Sequence, residues 1–501
     1  MKKLFFTFVF ILAFFIQAIS QNVWENSNSE VHPFLYRMAQ KGFIDYNDLI
    51  KPINRVNVLN VLNILKLKDS TLSIIEKQEL AFYLQEYNRP TKEQISLFKK
   101  DQNKRWRAGA IVSNEFEFYI DPLLGINNFS GAGKNIKQLS NGFELWGTAG
   151  KNKSLGYQVY YRDYTETGNL NNNFREESST PGNILIGVKT NNKINYTDIR
   201  ANINYGFRKG NISFGKDNIV WGYGENSNIV LSNKVPSYPY IRLDYKPLKW
   251  LNFNYTHAWL NSNIADSSLS YFTNTGRIDN DFRLVFVQKY LATHSIEVEA
   301  MKGLNIAIGE SIVYSDKMDP GFLIPINLFK FYDNNRSNYL IEAGSNGQYF
   351  LSASSRNQIK NTHLYSTLFI DEIKVSSIFN KTESRNQLGY NLGGSITDII
   401  IPYLSLGAEY TRVNPFVYSN LISAQTYTSY NYSLGDWMGN NFDRAIIFAK
   451  YTPIAKLKLV ARYQKIRKGG AGTIYQQYAV QPQPSFLSDF IKTRSDMFLQ
   501  A

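Results

Sequence analysis

Apolar and polar residues alternate with a period of two over most of the chain that follows Trp106. In one such stretch, Ile199 and Ile203 alternate with Arg200 and Asn202. A period of two predicts β-strands, because successive side chains of a strand point to opposite faces. The same alternation of one apolar and one polar face recurs at residues 251–259, 404–411 and 457–464.

A strand with one apolar and one polar face suits a membrane barrel, which has lipid outside and water inside. A soluble β-sandwich gives the same alternation with its apolar face buried, so the pattern alone leaves both open. The connections favour the barrel, because outer-membrane barrels combine short periplasmic turns, such as residues 246–249, with long outer loops. Long connections are predicted at Asp121–Asn141, Thr165–Asn195, Asp217–Ser237, Asn263–Asp281 and Val413–Asn440.

The length of the alternating region sets the number of strands. At about 20–25 residues for a strand and its share of the loops, residues 105–501 give roughly 16–20 strands, and the even-number rule leads us to predict 18. The last alternating stretch starts at Arg494, close to the end of the chain at Ala501. A membrane strand needs ~9–11 residues, so either the barrel closes through a shorter strand or the sequence lacks its true end. We favour the second.

Residues 28–104 differ, because their apolar residues are spaced three and four apart. Val58, Leu62 and Leu65 mark one face of a helix that Asn54 can cap. Because so few residues bury only a small core, we predict that they form a periplasmic bundle packed on one barrel end. The alternative is a free-standing helical module. Other helices are predicted after Pro33, after the capping box Ser73–Glu76 and at Thr91–Gln94.

The start of the chain predicts export. Lys2–Lys3 are followed by the apolar run Leu4–Ile16 and by small residues, which is typical of a secretory signal peptide (residues 1–20) cleaved before Gln21. The mature chain is then expected to divide into a helical periplasmic region at 21–104 and a barrel at 105–501. With this export route we expect an outer-membrane location in a Gram-negative bacterium.

Composition agrees with this architecture. The chain has 34 tyrosines and 33 phenylalanines, and membrane barrels place aromatic residues in girdles at both interfaces. It has no cysteine, so it forms no disulfide. The net charge of +14 falls by two when Lys2 and Lys3 leave with the signal peptide. An excess of positive charge favours acidic partners, although a basic lumen that only aids solubility explains it equally well.

The sequence contains no catalytic, metal-binding or cofactor-binding pattern. His294 and Ser295 are neighbours on a predicted strand, so their side chains point to opposite faces and do not form a catalytic pair, and no His-Glu-x-x-His sequence occurs. Gly222 and Gly224 lie among strands and match no nucleotide-binding loop. His257 shares an apolar face with Tyr255 and Trp259, which indicates an interfacial aromatic position. We therefore predict no enzyme activity, no catalytic residues, no cofactor and no metal.

Aromatic and charged residues in two long loops suggest sugar binding. Sugar rings stack on flat aromatic side chains, their hydroxyls bond to Asp and Asn, and acidic sugars pair with Arg or Lys. The alternative for each residue is that it only braces a loop or the aromatic girdle. The candidate polysaccharide-binding residues are Asp217, Trp221, Tyr223, Glu225, Asn226, Arg242, Tyr432, Asp436 and Trp437.

Four short motifs carry a family resemblance: Phe214–Asp217, Trp221–Gly224, Leu231–Asn233 and Pro239–Arg242. Together they resemble the signature of the capsule-assembly Wzi-like outer-membrane proteins, and residues 32–44 are similar to the N-terminal helical region of that family. The resemblance implies an eighteen-stranded outer-membrane barrel with a periplasmic helical bundle. It also implies a lectin-like role in holding exported capsular polysaccharide at the cell surface.

Three functions follow as hypotheses. The first is a non-enzymatic barrel that binds and anchors an extracellular, acidic polysaccharide. The second is a channel for sugars or other solutes, because Arg200, Asn202, Asn204, Arg242 and Lys458 suit a water-filled lumen. The third is a barrel enzyme, for which the sequence gives no sign. The expected partners are the polysaccharide and outer-membrane lipid, with the capsule export machinery as an open alternative, and nothing indicates nucleic acid.

Overall fold

A single barrel accounts for most of the chain. Eighteen antiparallel strands form a closed barrel in which strands adjacent in sequence pair with each other. The predicted barrel class and strand number are therefore confirmed. The predicted signal peptide lies outside the described residues. The computed structural model describes residues 23–131, 134–168, 181–184, 193–273, 281–337, 344–373, 379–380, 385–476 and 482–501.

The barrel strands follow one another in chain order. They are β1 (Gln94–Lys100), β2 (Trp106–Val112), β3 (Phe116–Gly131), β4 (Lys134–Ala149), β5 (Leu155–Gly168), β6 (Lys193–Phe207), β7 (Gly210–Asp217), β8 (Tyr238–Leu248), β9 (Leu251–Ala265), β10 (Phe286–Met301), β11 (Leu304–Ser315), β12 (Asn346–Arg356), β13 (Thr362–Ile373), β14 (Asn386–Thr397), β15 (Leu404–Val413), β16 (Phe442–Ile454), β17 (Leu457–Gly469) and β18 (Phe490–Gln500).

The two faces of the wall have the predicted polarity. On β6, Asn202 and Asn204 face the lumen and are buried, whereas Ile199 and Ile203 on the outer face are 43% and 54% exposed. On β16, Ile447 on the outer face is 61% exposed. An outward band of apolar side chains on a barrel is the surface that contacts lipid.

Three helices precede the barrel and share one apolar core. Both predicted caps are present: Asn54 Oδ1 accepts a hydrogen bond from Val56 N at 3.1 Å, and Ser73 and Glu76 form a capping box. No helix among the described residues is long and apolar enough to cross a membrane. The helices are α1 (Val31–Gln40), α2 (Arg55–Leu67) and α3 (Ile74–Tyr87).

The predicted helix at Thr91–Gln94 is wrong, because this stretch leads into β1. Ile95 and Leu97 are 71% and 65% exposed, whereas Ser96 is buried. That is a two-residue period, so the strand pattern starts earlier than expected. The first barrel strand therefore lies ahead of the predicted boundary at residue 105.

Two other predicted boundaries are also wrong. Residues 121–141 are not a loop, because β3 and β4 continue through most of them as a long hairpin. Leu124 and Ile126 lie on its outer face at 79% and 71% exposure, which continues the apolar period. The final strand starts at Phe490 rather than at Arg494 and has 11 residues, so it is not short.

The two ends of the barrel differ. The long connections all lie at one end, which we call the loop end. The helices pack at the opposite end, which we call the helical end; there Lys41 of the helical region pairs with Asp398 in a short strand turn at 2.7 Å. We call residues 23–93, which contain α1–α3 and their flanking segments, the helical region.

Three segments fold into the lumen and form a plug: residues 218–237 and 414–441 from the loop end, and residues 45–54 from the helical region. Their apolar side chains share one core with lumen-facing residues of strands between β8 and β16. Among the described residues, this core includes none from β1–β7, β17 or β18. The plug is therefore eccentric, because it packs against one side of the wall.

Residues 316–337, in the connection after β11, fold the other way and cover the outer face of β9–β11. They include a fourth helix, α4 (Phe329–Ser337), whose first turn donates backbone N–H groups to the Glu310 carboxylate. Tyr255 donates its hydroxyl to Phe322 O at 2.8 Å. His257 lies on the predicted outer face, but it is fully buried under this connection.

Buried polar contacts hold the helical region on the barrel. Arg356 of β12 donates to Tyr46 O at 2.8 Å and pairs with Asp48 at 2.9 Å. Burial alone raises the pKa of Asp48, but the Arg356 guanidinium brings it below its usual value. Asp48 is therefore anionic, and it compensates a buried cation.

We expect Asp48→Ala to cost about 3–5 kcal/mol of the free energy that holds the helical region, because Arg356 keeps a buried charge without its partner. Urea-dependent trypsin cleavage of the helical region in detergent measures this loss. Asp69→Ala removes an exposed pair with Lys77 and should leave the urea midpoint unchanged. Equal midpoints for Asp48→Ala and the wild type would contradict the assignment.

The helical region should also respond to pH. His32 Nδ1 accepts from the Tyr46 hydroxyl at 2.8 Å, and its Nε2–H donates to Asn26 O at 3.0 Å. Burial, followed by the charge of Lys51, lowers the pKa of His32 from 6.5 to about 4. Between these two values the unfolded segment binds a proton that folded His32 does not. Stability therefore falls as the pH falls through this window.

We expect acidification from pH 7 to pH 4 to cost the helical region about 3 kcal/mol through His32 alone. The same trypsin assay, repeated at a series of pH values, measures this loss. His32→Gln keeps a polar side chain but cannot titrate, so its pH profile should be flatter. An identical profile for the variant would exclude His32 as the titrating group.

Candidate functional site

The loop of residues 218–237 crosses the lumen down to the helical region. Val220 and Trp221 pair with residues 50–51 as a short ladder. The Trp-Gly-Tyr-Gly sequence makes the turn that follows. Gly222 has φ +135°, and a side chain on Gly224 would lie 1.8 Å from Ser227 O. Both positions therefore require glycine, and the motif is explained by the shape of the plug.

The Glu409 carboxylate on β15 anchors this turn. Its Oε2 accepts the backbone N–H groups of Glu225 at 3.2 Å and Asn226 at 3.0 Å, and the Tyr365 hydroxyl at 2.6 Å. Its Oε1 accepts from Asn391 Nδ2 at 3.0 Å. One carboxylate thus satisfies two backbone groups of the plug and ties them to two neighbouring strands.

Glu225 is itself fixed inside the barrel. Its carboxylate pairs with Lys450 and accepts from Ser395 Oγ at 3.2 Å, and His363 Nδ1 lies 3.9 Å away. Burial alone raises the pKa of Glu225, but the Lys450 ammonium and His363 bring it below its ordinary value. Glu225 is therefore an anion that holds the bottom of the loop on β13, β14 and β16.

The second plug loop is held in the same way. Asp436 pairs with Arg444 of β16 at 2.5 Å, and Arg444 also donates to Ser227 Oγ at 2.6 Å. The Tyr418 hydroxyl donates to Ile229 O at 2.6 Å. The two plug loops are thus bonded to each other and to the wall.

The structure places most of the nine predicted sugar-binding residues inside this assembly. Trp221 has no exposed surface and packs edge-on against Phe350 at 5.9 Å. Tyr223 donates to Glu297, and Arg242 donates to Asp244 at 3.0 Å. The contacts of Trp221, Tyr223, Arg242 and Asp436 thus lie within the plug and the wall, and a sugar-binding role for these four residues stays a prediction.

The other predicted residues lie at the edges of the plug. Asp217, at the end of β7, is 9% exposed and lies 3.7 Å from Arg200. Tyr432 lies under the Lys234 ammonium at 5.2 Å. Asn226 and Trp437 are half-buried and face β17 and β18. The structure therefore separates the nine residues and does not form one sugar site from them.

The lumen faces of β5, β6, β17 and β18, which we call the open side, lie outside the plug core. On β5 and β6, the Arg162 guanidinium lies over Tyr164 at 5.5 Å, and Arg200 lies over Tyr160 at 5.1 Å. Arg200 also pairs with Asp198 at 2.7 Å. All five side chains are only half-buried, so solvent reaches them.

β17 and β18 carry a similar set. Arg462 lies over Phe498 at 5.1 Å, and Arg494 pairs with Asp496 at 2.7 Å. The Trp437 ring lies 6.0 Å from Arg494, so one predicted residue does belong to this surface. The open side thus combines guanidinium groups, aromatic rings and carboxylates in a partly solvated lumen.

Apart from Trp437, the residues of the open side are not among the binding residues predicted from the sequence. Tyr160, Arg162 and Tyr164 occupy alternate positions of one strand, so they share the lumen face. That spacing was the available signal. The spacing shows which face these side chains share, but not whether the plug covers that face. The position of the plug is set by residues far away in the chain.

The helical region lies at the lower end of the open side. Arg55 lies over the Trp146 ring of β4 at 4.3 Å, and Lys458 of β17 donates to the Tyr83 hydroxyl at 2.6 Å. Residues 24–27 border the same small cavity as Tyr160. Among the described residues, no group of three or more His, Asp or Glu side chains could hold a metal ion.

We expect Glu409→Ala to loosen the plug, because each buried donor left without its acceptor costs about 1–3 kcal/mol. Planar-bilayer recordings should then show a larger conductance than the wild type. Glu115→Ala, which removes an exposed carboxylate from a turn, is the matched control and should not change the conductance. An unchanged current through a folded Glu409→Ala barrel would mean that this anchor does not hold the plug.

No protein-family model and no curated protein matches this sequence. Among solved structures, it is similar to Wzi, described as an outer-membrane protein involved in group 1 capsule assembly in Escherichia coli and as a carbohydrate-binding β-barrel. The TM-score is 0.55 at 11% identity, over 90% of this chain and 86% of that chain.

Two Pseudomonas aeruginosa proteins have lower scores. OprD has a TM-score of 0.35 at 11% identity over 71% of this chain and 73% of its own. OccK8 has 0.37 at 9% identity over 70% and 84%. Scores this low support no further comparison. The resemblance to Wzi-like proteins noted in the sequence is therefore confirmed for the fold.

Proposed function

We propose that this protein is a non-enzymatic outer-membrane barrel that binds an exported, acidic polysaccharide and anchors it at the surface of a Gram-negative cell. The observation that carries the proposal is the eccentric plug. It leaves one side of the lumen lined by guanidinium groups and aromatic rings that solvent can reach. The described carbohydrate binding of the structurally similar Wzi agrees with this assignment.

The chemistry of the open side suits acidic sugars. A planar guanidinium such as that of Arg162 or Arg494 can pair with a sugar carboxylate through two parallel hydrogen bonds. The rings of Tyr160 and Tyr164 offer flat apolar surfaces for the C–H faces of a sugar. Asp198 can accept hydrogen bonds from hydroxyls. Of the residues predicted from the sequence, Trp437 and Asn226 border the open side.

Anchoring is favoured over conduction by what lies below the open side. The helical region occupies that end of the lumen, through contacts such as Arg55 with Trp146. A chain entering from the loop end would therefore meet protein rather than an exit. In this orientation the loop end faces outward and the helical region faces the periplasm, where contact with export machinery would occur.

We expect the double variant Arg162→Gln/Arg494→Gln to weaken polygalacturonate binding by the detergent-solubilised protein. A lost hydrogen bond to a charged group costs about 1.5–3 kcal/mol, which is roughly tenfold or more in Kd for each residue. Calorimetry measures the affinity. Arg283→Gln removes an exposed loop charge and is the control. Equal affinities for the double variant and the control would refute the open-side site.

The cellular role requires a separate measurement. In the source bacterium, the double variant should release polysaccharide into the medium while the barrel remains folded in the membrane. Polysaccharide that stays cell-bound in both the double variant and a deletion strain would exclude anchoring. A large, steady open current through the wild-type barrel would instead favour the channel.

A further inference from the structure

A cavity of about 620 Å³ opens at the helical end, between α2 and the strand turns that join β6 to β7 and β8 to β9. Sites for small ligands typically have about 300–1,000 Å³. A second cavity of about 330 Å³ adjoins it and shares Asn47 and Lys246 in its lining. We call the two together the helical-end cleft. It lies at the opposite end of the barrel from the loop entrance to the open side.

The cleft contains cations without acidic partners. Arg208, Lys246 and Lys249 line it, are exposed, and form no ion pair with any residue that the structure describes. Two arginines of the helical region are paired, by contrast: Arg37 binds Glu76 at 2.7 Å, and Arg55 binds Glu25 at 2.7 Å. The unpaired cluster gives the cleft an excess of positive charge.

The acidic residues of the cleft do not balance this charge. Of the two carboxylates that line the larger cavity, Asp244 accepts from Arg242 at 3.0 Å and from Asn211 at 3.2 Å. Asp45 is exposed and lines both cavities, and Glu299 lines the smaller one together with Lys302. These two carboxylates are fewer than the exposed cations of the two cavities, so the cleft has positive charge available for an anionic ligand.

The remaining lining is rich in amides. Asn57 and Asn60 lie three residues apart on the exposed face of α2, so their amides point to the same side. An amide both donates and accepts, as sugar hydroxyls do. Trp24 also borders the larger cavity, and the Arg242 guanidinium lies over its ring at 4.3 Å.

We propose that the helical-end cleft is a second saccharide site, specific for a short carboxylate-bearing segment of a glycan. Lys246 and Lys249 pair with the carboxylates, while Asn57 and Asn60 bond to hydroxyls. The ligand class follows from this lining and agrees with the proposed function, but the site uses none of the open-side residues. The protein would then contact its glycan at both ends of the barrel.

The test is calorimetry of the whole protein in detergent with a trimer of galacturonic acid. The double variant Lys246→Gln/Lys249→Gln should lose one class of sites, or bind at least about tenfold more weakly. Lys317→Gln/Arg283→Gln removes two exposed loop-end cations and should bind like the wild type. Asn57→Trp fills the cleft without a change of charge and should also remove this class of sites. Equal binding by wild type and either cleft variant overturns the proposal.

Two further probes test the chemistry. Neutral maltotriose should not compete for this class of sites, and equal competition would overturn a site based on carboxylates. Wild type and cleft variants should bind nanodiscs that contain phosphatidylglycerol with equal affinity. If the cleft variants lose binding to these nanodiscs but not to the trimer, the cations bind lipid headgroups and the saccharide site is overturned. Arg162→Gln/Arg494→Gln should retain the cleft class, which separates failure here from failure of the open-side site.

Discussion

The burial of loop backbone inside a barrel lumen is the constraint on which the other features depend. Peptide groups removed from water need partners, and an apolar core cannot provide them. In this protein, carboxylates and guanidinium groups of the wall do so: Glu409 takes two N–H groups of the first plug loop, and Arg444 joins both loops. Since these anchors belong to β15 and β16, the loops are drawn to that side of the lumen.

The eccentric position of the plug divides the lumen into two environments. On one side, residues such as Trp221 and Tyr418 have no exposed surface and serve stability. On the other side, arginines and tyrosines of β5 and β6 remain half-buried and available. The helical region completes the division, because Arg356 and Asp48 hold it in the lumen from below. The residues proposed to bind and the residues that stabilise the fold are thus of the same types. They differ in whether the plug covers them.

The sequence predicts the wall well and the site poorly, for a physical reason. Alternation is local, so Ile199 and Arg200 reveal their faces without knowledge of any other strand. The predictions fail at two places: the helix predicted at Thr91–Gln94 leads into the strand Gln94–Lys100, and the long connection predicted at 121–141 is a hairpin with Leu124 on its outer face. The role of Trp221 depends on contacts with distant residues. Its residue type suits a sugar, but its burial is a tertiary property that no spacing encodes.

The outward-folded residues 316–337 have a consequence for the membrane around the barrel. Ile326 and Leu328 are 80% and 56% exposed and stand away from the sheet, so annular lipids meet a raised sector there rather than a smooth cylinder. Histidine and glutamate side chains beneath it stay out of hydrocarbon. The outer surface thus differs around the barrel, and a neighbouring molecule can distinguish the side covered by residues 316–337 from the others.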